Sequence, residues 1–238
     1  MNFQEGAYIY INKPYRMTSF GALAHIRYVV SKRIGVKRVK MGHAGTLDPL
    51  ATGVLILCTG KATKQIERLQ QHTKEYTATQ QLGATTLSYD MEHEVDHTYP
   101  TSHITRELIE QILPRFVGDI MQEPPLFSAC MVAGDRAYEL ARRGEDVRLA
   151  AKPVRIDEIE LTAFDAETMT MSIRVVCGKG TYIRSLARDI GEALGSGAYL
   201  TALCRTRVGD VSINDCLAFD DFPLWLEDQL SNSEIVKS

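Results

Sequence analysis

Residues 42–53 read GHAGTLDPLATG, with one carboxylate, Asp48, set among three glycines and a proline. Asp-Pro is a turn initiator, because the acid bonds local backbone and proline presets φ. A carboxylate can also be a nucleophile, a general base or a metal ligand. Only His43 lies close enough in sequence to share a metal. Gly42, Gly45 and Gly53 would permit close approach of a large ligand. Just upstream, SKRIGVKRVK (31–40) holds five cations and no acid. An acid facing a polyanion is unfavourable unless its role is chemical or a cation neutralises it.

The charge is uneven along the chain. The 238 residues carry 27 Lys/Arg and 30 Asp/Glu. Residues 1–76 hold 12 of the cations against 4 acids, and residues 77–238 hold 15 against 26. A basic first third suggests a polyanionic partner on one face. The hydrophobic content of 45% is that of an ordinary globular protein with a sizeable core. No apolar run of membrane-spanning length and no signal-peptide pattern is present, so we expect a cytoplasmic protein without membrane contact. The five cysteines are scattered and odd in number, and read as reduced thiols.

The pattern predicts strands at 7–12, 53–58, 75–83, 124–134, 154–164 and 170–177. It predicts helices at 18–34 (capped by Thr18 or Ser19), 61–71, from Thr105 to about 115, 135–144, and in 178–195 with a stop at Gly195. Residues 84–103 read as a polar loop, and the acidic C-terminal stretch as a frayed tail. Without a strict βαβ rhythm, the class is α+β.

Other stretches bear on chemistry. GKGTYIR (178–184) is a glycine-lysine-glycine turn entering a helix, suited to an anion. Its Arg184 could pair with a buried carboxylate. Tyr76 opens an alternating strand, either as a core aromatic or as a ring that stacks on a base. DMEHEVDH (90–97) has His93 and His97 among acids but no regular pattern to hold a metal, and reads as a solvated loop.

Together, INKPYRMTSF (11–20), GHAGTLDPLATGVLILCTGKATK (42–64), KEYTATQQLG (74–83), PPLFSACMVAGDRAYELARRG (124–144) and GKGTYIRSLARDIGEALGSGAYLTALCRTRVG (178–209) resemble the bacterial tRNA pseudouridine synthase B (TruB) family. The resemblance implies conversion of uridine 55 in the tRNA T-loop to pseudouridine, with no cofactor or metal. It implies the pseudouridine synthase α+β fold, a long mixed, mainly antiparallel sheet flanked by helices and loops around a central cleft. Asp48 matches the catalytic aspartate, and Arg184 the arginine that pairs with it. Tyr76 matches the tyrosine that stacks on the target base. Tyr182 and Leu203 match residues lining the base pocket, and Asp90 an acid near the arginine. His43 matches a histidine that holds flipped-out nucleotides. Lys13 and Lys64 match basic residues near the cleft, in phosphate or structural contacts. Residues 124–152 match a thumb, whose Arg136, Arg142 and Arg143 could touch phosphates.

On this reading 1–210 is the catalytic domain, and 211–238 a short acidic extension in place of the PUA domain many members carry. The form is a stand-alone monomer that uses no guide RNA. Two departures are visible: Arg16 stands where the family usually has glycine, and Thr86-Leu87-Ser88 stands for Thr-Asp-Thr. Competing readings are a tRNA-folding chaperone acting by binding alone, and an N-glycosidase that releases the base.

Overall fold

The structure, a computed structural model, describes residues 1–128, 131–132, 135–136, 143 and 149–235. The chain divides into two compact units: Met1–Lys74 with Cys204–Ser238, and Glu75–Leu203. The boundary read at 210 falls inside the first unit.

In the first unit, β1 (Tyr8–Lys13) turns Ile9, Ile11 and Lys13 to the buried side. Helix α1 (Ser19–Arg33) follows, and the Thr18 hydroxyl caps it by accepting from the Gly21 amide. Strands β2 (Met41–His43) and β3 (Ala51–Thr59) form an antiparallel hairpin. β3 also pairs antiparallel with β1, Ile9 opposite Leu57 and Ile11 opposite Leu55. The apolar run in β3 is buried on both faces. Leu55 and Leu57 join Ile9, Ile11, Leu23 and Ile26, while Val54, Ile56 and Cys58 form a second cluster with Val208. A 3-10 turn (Gly60–Gln65) leads into the short α2 (Ile66–Gln71), where the sequence suggested one helix.

In the second unit, β4 (Lys74–Leu82, entering from Lys74) buries Tyr76, Ala78, Gln80 and Leu82 on one face. β5 (Ala84–Thr86) and β6 (Val95–Thr98) make a hairpin within the stretch read as loop. Thr105 caps α3 (Arg106–Ile112). β7 (Gly118–Gln122) pairs with the later β10. Residues 124–128 are not strand; a two-residue pair, β8 (Met131–Val132) and β9 (Asp135–Arg136), follows. Strand therefore stands where the helix over 135–144 was to begin. Most of that helix, Arg142 and Cys130 lie outside the described residues. The long β10 (Lys152–Asp165) and β11 (Thr170–Cys177) pair antiparallel, and β4 adjoins β11. Helix α4 (Ile183–Ala193) buries Ile183, Leu186, Ala187 and Ile190, and Gly195 follows at φ 65.

β12 (Ala198–Val208) starts in the second unit and ends in the first, where β13 (Val211–Ser212) pairs with it. β14 (Leu217–Ala218) lies parallel to β1. The acidic C-terminal stretch, expected to end in a frayed tail, is helical as far as Ile235. It forms α5 (Phe222–Ile235), whose Phe222 and Leu226 are buried in the cluster shared with α1.

Candidate active site

Asp48 sits half-buried in the connection between β2 and β3. Asp48, Pro49, Leu50 and Ala51 form a turn closed by the Ala51 amide on the Asp48 carbonyl at 3.1 Å, with proline in its preferred second position. The backbone on both sides is clamped. Before it, the Ser19 hydroxyl donates to the Leu47 carbonyl (3.1 Å) and accepts from the Leu47 amide (2.8 Å). After it, the Lys13 ammonium donates to Pro49 O at 3.3 Å, and also to Pro14 O and Met17 O at 2.9 and 2.6 Å. Strand alternation drives Lys13 inward, so it is wholly buried. Burial lowers its pKa to about 8; Asp48 opposes that shift, and Arg205 adds to it. Lys13 is thus a structural cation here.

Arg205, on β12, completes the mount. Its guanidinium donates to the carbonyls of Val54 (2.8 Å), Thr46 (3.4 Å) and Gly45 (3.2 Å), and only 1% of the residue is exposed. The sequence reading did not single it out. It stands among polar and apolar residues in LCRTRV, and nothing in that pattern marks which arginine turns inward.

The glycines answer to the chain itself. A Cβ on Gly53 would stand 2.2 Å from the Arg205 carbonyl oxygen, and one on Gly42 2.6 Å from Ile66 Cδ1. The expectation that both make room for a ligand is corrected: they make room for β12 and α2. Arg16 has φ 61, a left-handed geometry that explains why glycine suits this position.

His43 ends β2 half-buried, and its Nδ1 is buried with no partner among the described residues. Burial, then Arg205, lowers its pKa, which favours a neutral ring at physiological pH. Lys64 is exposed on the 3-10 turn.

The second unit gathers another set. Arg184 and Asp90 are both buried, with Arg184 Nε 3.7 Å from Asp90 Oδ2. The guanidinium also donates to Ser88 O (3.1 Å) and Phe127 O (2.9 Å). Asp90 accepts from the Ser88 hydroxyl (2.5 Å) and the Glu92 amide (3.0 Å). Ser88 belongs to the departure from Thr-Asp-Thr, yet it anchors Asp90. Tyr182 precedes α4, and the buried Gln122 side chain binds its backbone twice: the Tyr182 amide donates at 2.8 Å, and the Tyr182 carbonyl accepts at 3.1 Å. Tyr76 is buried on β4, and Leu203 is half-buried on β12. In the thumb stretch, Arg136 is on β9 and Arg143 is exposed.

The model of the TruB family pseudouridylate synthase N-terminal domain matches residues 32–183, and that of the tRNA pseudouridylate synthase B C-terminal domain matches 184–234. The chain belongs to the TruB family. The C-terminal match takes in α5, so this helix is part of the family's pattern. The chain is 63% identical to tRNA pseudouridine synthase B of Phocaeicola vulgatus, over 96% of this chain and 97% of that one. It is 63% identical to the Bacteroides thetaiotaomicron protein of the same name, over 98% and 99%. Among solved structures, it resembles a chain of a Cbf5–Nop10–Gar1 complex with a TM-score of 0.67 and 28% identity. It also resembles a chain of an H/ACA RNP bound to a substrate RNA containing 2′-deoxyuridine, with a TM-score of 0.65 and 27% identity. It covers 95% of itself in both matches, and 57% and 56% of those chains. The α+β class expected from the sequence is the fold of this family.

Proposed function

We propose that this TruB-family chain converts uridine 55 in the T-loop of tRNA to pseudouridine. The observation that carries the reading is the mount of Asp48: a carboxylate whose flanking backbone is held by Ser19, Lys13 and Arg205. Such fixing suits a group that must meet one carbon of a large substrate.

The reaction breaks the C1′–N1 bond, turns the uracil, forms C1′–C5, releases the C5 proton to base or solvent and returns one proton to N1, which ends as N–H. It conserves every atom and electron, so it calls for no redox partner or group donor. Asp48 acts at the sugar, as nucleophile on C1′ or as base at the adjacent carbon. Arg184 is the partner that orients Asp48 in the reaction, and Asp90, 3.7 Å from its Nε, holds the arginine. Tyr76 stacks on the target base and assists proton transfer at C5. Tyr182 and Leu203 line the base pocket, and His43 holds an extruded loop nucleotide. Lys64 contacts phosphate, and Lys13 serves the mount. The protein works alone, without a guide RNA, as a cytoplasmic monomer.

Unmodified tRNA transcript, incubated with the protein alone and mapped for pseudouridine at single-nucleotide resolution, tests this. Modification confined to the T-loop uridine is expected. Bound but unmodified tRNA would leave only the chaperone reading, and an abasic site would mean a glycosidase.

A further inference from the structure

Residues 6–47 contain no acid and eight Lys or Arg. Three of the eight meet at one concavity. Arg27, Arg38, Val39, Lys40 and Met41 line a concavity of about 310 Å³. Among the described residues, no carboxylate pairs with Arg27, Arg38 or Lys40; the ion pair in this region joins Arg33 to Glu227 at 2.5 Å. Beside the concavity α1 exposes two large rings, Phe20 at 64% and Tyr28 at 63%. Each has a cation over it, Arg27 at 6.0 Å from the Phe20 centroid and Lys32 at 5.9 Å from that of Tyr28. Two exposed rings among unpaired cations are costly to leave in water, and they match what single-stranded RNA offers: phosphates for the cations and flat bases for the rings. An acidic protein surface would use the charges but not the rings.

The placement adds reach. Ser19, the first residue of α1, is bonded to Leu47, the neighbour of Asp48. From there the helix runs to Lys32, roughly 20 Å at 1.5 Å per residue. RNA lying along this face therefore extends well past the nucleotide at Asp48.

We propose that this face binds tRNA outside the target stem-loop, with a backbone phosphate in the Arg27–Arg38–Lys40 concavity and unpaired bases on Phe20 and Tyr28. The inference rests on the tRNA reading above and adds a second contact to it. The salt dependence of binding follows directly, because each phosphate contact releases counterions.

The test uses the full chain, its Arg27→Ala/Arg38→Ala form and its Phe20→Ala/Tyr28→Ala form. The second pair replaces solvent-facing rings, so folding is retained, and melting temperature checks both. Each is assayed on full-length unmodified tRNA and on an isolated T-arm stem-loop. On tRNA, KM should rise about tenfold with kcat within about twofold, and the arginine pair should flatten the salt slope of Kd by about one per lost phosphate. On the stem-loop, KM should not change. An equal rise on both substrates would move the contact into the stem-loop and overturn the proposal, as would no change on either. Polyglutamate displacing tRNA from the parent as well as polyuridylate does, and from neither variant, would reassign the face to an acidic protein and also overturn it. If the parent makes no pseudouridine but its Kd for tRNA responds to both variants and that for the stem-loop does not, the isomerase reading fails while this surface stands.

Discussion

Two polar centres, one in each unit, place an aspartate by different routes. In the second unit Asp90 is anchored through its own carboxylate, by the Ser88 hydroxyl, the Glu92 amide and Arg184. In the first, Asp48 is anchored through its neighbours: Ser19 grips Leu47, Lys13 reaches Pro49, and Arg205 takes Gly45 and Thr46. An acid that spends its oxygens on protein donors becomes architecture. One whose neighbouring backbone is clamped has its position defined by the loop that carries it. The buried cations near Asp48, Lys13 and Arg205, donate to backbone carbonyls of the surrounding loops.

The contrast can be broken, beginning with the largest effect. Asp90→Ala removes the partner of a buried arginine and should cost about 3 kcal/mol, lowering Tm by roughly 6–12 °C. Thermal unfolding checks this; an unchanged Tm would mean Asp90 is not architecture. Arg205→Met leaves three carbonyls without their donor. We expect about 2 kcal/mol of lost stability and a kcat lower by about 10²-fold, because the loop shifts. A stable variant with normal kcat on tRNA would show that the loop holds itself.

Lys13 sharpens the same comparison through pH. Its folded pKa of about 8 lies below the ordinary 10.5, so between those values the unfolded chain binds the proton that the folded one has released. Stability of the parent relative to Lys13→Met should therefore rise as pH climbs from about 8 to 10.5, and the gain should disappear as pH falls through 8. Denaturant melts of both proteins across that window read it; parallel curves would contradict it. The smallest effect concerns the corner that Lys13 braces. Arg16→Gly relieves the φ of 61 but loosens the unfolded chain, for a net gain of about 0.5 kcal/mol. A loss in a denaturant melt would mean that the Arg16 stack on Tyr15, 5.5 Å from the ring centroid, outweighs the strain.

Local chemistry made much of this legible from sequence. Thr18 and Thr105 announce their helices as caps, Gly195 ends one, and the run GVLILC reads as a short buried strand, which the structure buries on both faces. What was missed depends on contacts distant in sequence. Arg205 meets Gly45 and Thr46 from some 160 positions away, and no periodicity encodes which carbonyls a buried guanidinium will find. Gly53 looked like an opening for ligand because the strand filling that space, β12, comes so much later. Helix α5 was hidden differently: its acids suggested a tail, yet Phe222, Trp225 and Leu226 already stand at helical spacing. The family motifs supplied what residue patterns alone did not, the carbon on which Asp48 is proposed to act.

Asp48 itself gives the most direct test. The single-turnover rate of pseudouridine formation in tRNA should be measured for the parent and for Asp48→Asn, with Kd for tRNA and Tm taken alongside. The account predicts a rate lower by about 10³-fold or more, with Kd within about twofold and Tm nearly unchanged, because the amide fits the same turn but cannot do the chemistry. A retained rate, or a loss traced wholly to weaker tRNA binding or to unfolding, would contradict it.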